Sequence, residues 1–390
     1  MTYTVYRNVQ VVLEQQLVEN GWVVLQNDRI AAIGAADQQL PELPADVNVL
    51  DGAGGYLVPG FIDIHVHGGA GEDFMTAEQE QLDTITKFHM ENGTTAMLAT
   101  TVTGAFEHLN AVLDAVQDYQ RKPMPYAQLV GVHLEGPFVN PKWKGAQNES
   151  YMIQPQLSWL DAWTKSYPGI IKLQTLAPEI EGAAPYIAAL KQHGIVAACG
   201  HTDARYEDVQ AAVQHGLSHA VHTFNAMTGL HHRQPGTVGA VLTMPEITAE
   251  IIADGEHVNP IAIKVLLLAK GTEGIVLVTD AMSAAGMPDG EYMLGELPVV
   301  VKDNIARLKD GGSLAGSTLT MIRGFHYMIE TLGASIVEAS RMASLNPAKV
   351  IGLEQHYGSI AVGKRADLLL LDQELAIQAV MIGGSVRVEK

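Results

Sequence analysis

The chain has 390 residues, 47% hydrophobic and 17% charged, which supplies a large core and argues against disorder. Its formal net charge of −19 argues against nucleic acid and anionic membrane as partners, though a locally basic pocket could still take an anionic small molecule. The lone cysteine, Cys199, lies in an apolar run; no internal disulfide is possible, the thiol is expected to be a small core group, and a reducing cytoplasm is the expected compartment. MTYTVYRNVQ lacks the basic start and apolar stretch of a signal peptide. The apolar run IAIKVLLLAK is interrupted by Lys264 and falls short of the ~18 residues that a membrane helix needs.

In chain order, the first sixty residues predict a small β unit: YTVYRNVQVV, QLVENGWVVLQN and DRIAAIG are rich in valine and isoleucine and broken by Asn-Gly and Asp-Arg. Pro59 and Gly60 mark a turn into a buried strand. Strands are then expected near residues 61–65, 95–100, 129–133, 171–176, 195–200, 220–223, 247–253 and 275–279, with helical stretches such as AEQEQLDTITKFHMENG and RYEDVQAAVQHG between most of them. The second stretch aligns Val209, Ala212 and Val213 on one stripe and stops at His215 and Gly216. Eight strands joined by crossover helices predict an α/β fold, a closed (β/α)8 TIM-like barrel more readily than an open doubly wound sheet. No Gly-x-Gly-x-x-Gly follows the first strand to support a dinucleotide site. After Asp280 a hairpin-like excursion, two helical stretches and a tail of short strands are expected. The two chain ends are expected to pair as a small β-sandwich domain, residues 1–57 and 357–390, flanking a catalytic barrel of residues 58–356.

Acidic residues and histidines recur where these strands end, and in a parallel barrel those ends converge on one face. His65 and His67 close FIDIHVHGG; alternate strand residues share a face, so both imidazoles point one way and could hold one transition metal or merely cap the strand. Asp63 shares that face and could buttress a ligand. Glu135 closes LVGVHLEGP, with His133 on the same face. His201 and His222 follow the fifth and sixth strands. Glu135, His201 and His222 make the two-nitrogen, one-oxygen set of catalytic zinc sites that keep an open water position. Glu135 could also bridge to a second ion on His65 and His67. Asp280 ends the eighth strand and suits proton transfer, or service as a further ligand. Asn225, Arg233 and His257 lie in loops on the same face, and Arg233 can grip a phosphate bidentately.

The motifs PGFIDIHVHG, HLEGPF, GHT, HTFNAM, HRQPG, ADGEHV, VTDAM and GSLAGS, in this order and over nearly the whole chain, resemble the N-acetylglucosamine-6-phosphate deacetylase family of the amidohydrolase superfamily. The resemblance implies hydrolysis of the 2-acetamido group of an amino-sugar phosphate. It implies one or two divalent ions per subunit (zinc, iron, manganese or cobalt) on Glu135, His201 and His222, with His65 and His67 marking the two-metal branch. It implies Asp280 as acid and base. It implies substrate contacts from Ala146, Gln147, Asn225, Ala226, Arg233, His257, Leu314, Ala315 and Gly316. It also implies a homodimer in which Arg233 reaches the partner's site. Gln147 departs from the family pattern, standing where a histidine is frequent; a neutral amide can hydrogen-bond the substrate but cannot act as a charged electrophile.

Overall fold

The computed structural model describes residues 2–76 and 78–389. Ala77, which opens the expected helix AEQEQLDTITKFHMENG, and the two end residues of the expected β domain lie outside that set. The described residues organise around two eight-stranded sheets and one three-stranded sheet.

One sheet carries the strand ends that the sequence singles out. It comprises β1 (Phe61–Asp63), β2 (Thr94–Thr101), β3 (Gln128–Glu135), β4 (Ile171–Leu176), β5 (Val196–Cys199), β6 (Leu217–Ala220), β7 (Thr248–Ile252) and β8 (Ile275–Val278). Each strand pairs in parallel with the next, so sheet order follows chain order. Parallel neighbours need a crossover, and seven helices provide it: α1 (Gln79–Glu91), α2 (Phe106–Gln120), α3 (Leu157–Ser166), α4 (Ala183–Gln192), α5 (Tyr206–His215), α6 (Gly236–Thr243) and α7 (Pro260–Lys270). Their starts are locally encoded; at α7, Asn259 accepts the Ile261 N–H and Pro260 takes the first position, where no N–H is required.

Both sheet faces are covered, so the strands read as apolar runs, yet the period of two survives in where their side chains go. Ile62, Leu98, Leu173, Ala198, Ile252 and Val276 gather in an inner cluster. Phe61, Met97, Leu134, Ile251 and Leu277 belong to the outer one, with the apolar faces of the helices. Residues from β1 and β8 share the inner cluster. Just past those strands the sheet ends are joined: Asp280 N donates to His65 O and His67 N to Ala281 O, both at 2.8 Å.

The sixth strand is displaced from its expected place. It covers Leu217–Ala220, not 220–223, because the backbone turns left-handed at His222 and Phe224 (φ 29° and 82°). Val221, His222 and Thr223 continue the apolar pattern in sequence but lie in the loop.

The second large sheet joins the chain ends. Tyr56–Pro59 pairs with Leu368–Leu371 on one side and with Tyr3–Val12 on the other; Leu17–Gln26, Arg29–Gly34, Asn48–Asp51, Ile377–Ile382 and Ser385–Glu389 complete it. The excursion after Asp280 forms a three-stranded antiparallel sheet of Gly290–Leu294, Leu297–Lys302 and Ile305–Leu308. It is followed by α8 (Met321–Glu330). Cys199 is buried, and burial pushes its thiol up to about 12, as expected of an inert core group. No helix among the described residues is long and apolar enough to cross a membrane.

Candidate metal centre

Glu135 is the last residue of β3, while His201, His222 and Asp280 each stand two residues beyond β5, β6 and β8. All three of the latter have positive φ, at 47°, 29° and 50°. A non-glycine residue in that region costs on the order of 1–3 kcal/mol. The repetition at three strand ends turns each side chain sharply out of its strand and over the top of the sheet.

The result is a close meeting of donor atoms. Glu135 Oε1, His201 Nε2 and His222 Nε2 lie 3.1 Å from one another, pair by pair. Donors about 2.0–2.2 Å from a tetrahedral ion stand roughly 3.3 Å apart, so this triangle has the dimensions to hold one. A second group adjoins it. His65 Nε2 is 3.3 Å from Glu135 Oε1 and 3.6 Å from Asp280 Oδ1. His67 Nε2 is 3.4 Å from Glu135 Oε2 and 3.2 Å from Asp280 Oδ1. Glu135 thus faces both groups with its two oxygens. His65 Nε2 is buried without a hydrogen-bond partner, although carboxylate oxygens surround it. A nitrogen so enclosed by carboxylates carries either a proton or a metal cation.

The imidazoles are held from behind. His201 Nδ1 lies 2.9 Å from the Trp143 carbonyl, which as an acceptor requires the ring proton on Nδ1 and leaves Nε2 free. His65 Nδ1 lies 2.7 Å from Glu250. Burial opposes ionisation of Glu135, but His65 and His201 outweigh it and hold its carboxyl well below the usual range. Asp280 is likewise penalised by burial and brought down on balance by His65 and His67. Asp280 is therefore ionised within the enclosure.

All of these donors except His65 line a cavity of about 350 Å³. His67, Glu135, His201, His222 and Asp280 are joined there by Ala146, Gln147, Asn225, Ala226, His257, Leu314 and Gly316. His257 Nδ1 is 2.6 Å from Asp254 Oδ2. Burial lowers the pKa of His257, but the Asp254 hydrogen bond and charge dominate and raise it above the ordinary value.

Comparisons with known proteins give the family of the chain. The model of the amidohydrolase family matches residues 56–387. The chain belongs to the amidohydrolase family. It is 36% identical over 383 residues to the N-acetylglucosamine-6-phosphate deacetylase of Bacillus subtilis (strain 168), covering 97% of this chain and 96% of the relative. It is 39% identical over 371 residues to the N-acetylgalactosamine-6-phosphate deacetylase of Escherichia coli O157:H7, covering 95% and 97%. Among solved structures, a mutant N-acetyl-D-glucosamine-6-phosphate deacetylase from Mycobacterium smegmatis in complex with N-acetyl-D-glucosamine-6-phosphate superposes with a TM-score of 0.92, at 34% identity over 100% of both chains.

Three expected site residues of this amidohydrolase stand outside its cavity wall. His65 is fully buried behind it. Ala315 is buried in an apolar cluster with Val102, Met282 and Val299, and its N–H is spent on Ala306 O. Arg233 is exposed, its Nη1 2.7 Å from His232 Nε2. Gln147 donates to Glu135 Oε2 at 2.5 Å and accepts the Thr103 N–H at 2.6 Å, so its amide here steadies a carboxylate.

The buttressing role considered for Asp63 falls elsewhere. Asp63 accepts the His65 N–H at 3.2 Å and the Thr279 hydroxyl at 2.5 Å, pinning backbone and the joint between β1 and β8. The carboxylate on the His65 ring is Glu250, which sequence reasoning missed. One signal was present: a single acidic residue inside the apolar strand ITAEIIA. Its partner His219, one residue before the end of β6, was missed as well. His133 turns its Nε2 to Thr175 Oγ1 at 2.8 Å, while burial holds its ring well below the ordinary pKa.

Proposed function

We propose that this amidohydrolase hydrolyses the acetamide of N-acetylglucosamine 6-phosphate, releasing acetate and glucosamine 6-phosphate. The observation that carries the reading is the meeting of Glu135, His201 and His222 at 3.1 Å, with Asp280 beside them. Glu135, His201 and His222 would hold one divalent ion, and His65 and His67 would hold a second against Glu135. Such an ion supplies Lewis acidity and brings a water's pKa down to ~7. Zinc, iron, manganese and cobalt all suit this nitrogen and oxygen set.

The chain's own residues do the rest. Asp280 takes the proton of the attacking water and delivers it to the departing nitrogen as the carbon–nitrogen bond breaks. His257, whose positive charge the Asp254 carboxylate favours, meets the phosphate and so fixes the distant amide over Asp280. Asn225, Ala226, Leu314 and Gly316 bound the sugar. Ala315, turned away from the cavity, contributes backbone shape only. Ala146 and Gln147 bound the acetyl end.

The architecture behind this reading is a (β/α)8 barrel of residues 58–356, supported by the hydrogen bonds joining the two ends of the parallel sheet. The β-sandwich reading of residues 1–57 and 357–390 is supported by the single sheet that both ends build. A homodimer is supported by an Arg233 that is exposed and absent from its own cavity wall, and by the exposure of Leu230 and of the α7 side chains Ile261, Val265 and Leu268. In that dimer Arg233 would bind phosphate in the partner's site. A cytoplasmic setting is supported by the single, inert thiol.

The galactosamine epimer is a second candidate substrate, favoured by the 39% identity to an N-acetylgalactosamine-6-phosphate deacetylase. Acetate release tests both. The glucosamine phosphate is expected to turn over fastest, the unphosphorylated sugar at least ~100-fold less efficiently, and a chelator to stop both. Faster turnover of the galactosamine phosphate would reassign the substrate. Chelator-insensitive turnover would remove the metal.

A further inference from the structure

Strand β7 holds one charged side chain in its interior, Glu250, and it is fully buried. No step above uses it. A carboxylate enclosed among apolar strands is costly unless its oxygens find donors, and here both do. Oε2 lies 2.7 Å from His65 Nδ1 and accepts the His222 N–H at 3.1 Å. Oε1 lies 3.0 Å from Nε2 of His219, itself fully buried. His219 Nδ1 in turn lies 2.6 Å from Thr248 Oγ1, on the same strand as Glu250. The circuit runs from β6 to β7 and ends on two members of the candidate metal centre.

These contacts have a direction. A carboxylate only accepts, so its hydrogen bond places the His65 proton on Nδ1. In the neutral ring that binds a metal, Nε2 then carries the lone pair, and it faces the space between Glu135 and Asp280, where it has no hydrogen-bond partner. The same oxygen grips the backbone of His222 at its left-handed turn. Two donors from different strands are thereby set by one side chain, and His219 keeps that side chain from swinging away.

We infer that Glu250 is a positioning residue for the cation site, fixing the tautomer of His65 and the main chain of His222, with His219 as its lateral support. This rests on the metal reading given above. It does not make Glu250 a ligand, because both of its oxygens are committed to other groups.

The test compares Glu250→Gln, which keeps an oxygen for His65 and His222, with Glu250→Leu and Glu250→Asp, which remove or withdraw it. Zinc affinity is read by competition with a chelating indicator, and ions per chain by elemental analysis of the folded protein. Glu250→Gln is expected to bind zinc within about threefold of the wild type. Glu250→Leu, or Glu250→Asp should the former not fold, is expected to bind at least ~10-fold more weakly or to lose one ion per chain, as outer carboxylates of metal-bound histidines do. Wild-type affinity and ion count in the oxygen-displaced variant would overturn the inference. So would a Glu250→Gln protein as weak as that variant, since charge and not the acceptor would then be at work. A wild-type chain with no zinc affinity would instead remove the metal reading itself.

Discussion

In the proposed reaction Asp280 and His257 divide the work between proton transfer and anchoring, and each role carries its own test. Asp280→Asn keeps the shape and hydrogen bonds of the side chain but cannot take a proton. Its kcat is expected to fall by at least ~10²–10⁴, with the ion content unchanged by elemental analysis; a near-normal rate would refute the proton role. His257 calls for a pH profile. Its folded pKa is raised, so its cation persists from acid pH through the unfolded value of about 6.5 and disappears only as pH climbs past the folded value. The stabilisation from its pair with Asp254 follows the same upper limit, present at about 6.5 while Asp254 is ionised and lost above the folded pKa of His257. Sugar phosphate is already mostly dianionic above pH ~6, so KM for the phosphorylated substrate is expected to rise with pH above neutrality. In His257→Asn that rise should vanish and KM should be higher throughout. A KM profile identical in the two proteins would separate His257 from the phosphate.

At the scale of elements, the site depends on sharp exits from parallel strands, and Gly200 shows how little room they leave. It precedes His201, and a Cβ there would sit 2.3 Å from a Val221 methyl and 3.6 Å from the His222 ring. Gly200→Ala is therefore expected to push β5 and β6 apart, cost about 1–3 kcal/mol in denaturant unfolding, and weaken zinc binding at His201 and His222. Unchanged stability would show that the loop yields freely. These exits also mark the limit of what the sequence reveals. Eight strands, the metal-type residues at their ends and the joining of the chain ends were legible, because buried parallel strands write continuous apolar runs and polar residues interrupt them. The end of β6 was not, since Val221 and His222 extend the run while the backbone has already turned. Glu250 was not either: pattern shows a charge in an apolar strand, but only the fold shows which histidine it faces. Ala315 was taken for a lining residue from its motif, and its packing under the three-stranded sheet is set by contacts distant in sequence.

For the whole molecule, the acidic surface and the exposed Arg233 bear on assembly. If Arg233 completes a neighbour's site, Arg233→Ala and Asp280→Asn proteins, each inactive with phosphorylated substrate, should complement each other after subunit exchange. Random pairing of equal amounts gives half heterodimers, each with one intact site, so about a quarter of wild-type activity is expected. No recovery in a mixture shown to exchange would confine Arg233 to its own subunit or remove it from the site. The same molecule-wide view frames the central claim, that residues spaced from His65 to Asp280 gather around one cation position. Anomalous diffraction from crystals of the zinc-loaded protein tests it most directly. The expected result is an ion about 2.0–2.2 Å from Glu135, His201 and His222 together. Zinc bound elsewhere, with those three side chains free of it, would contradict the account.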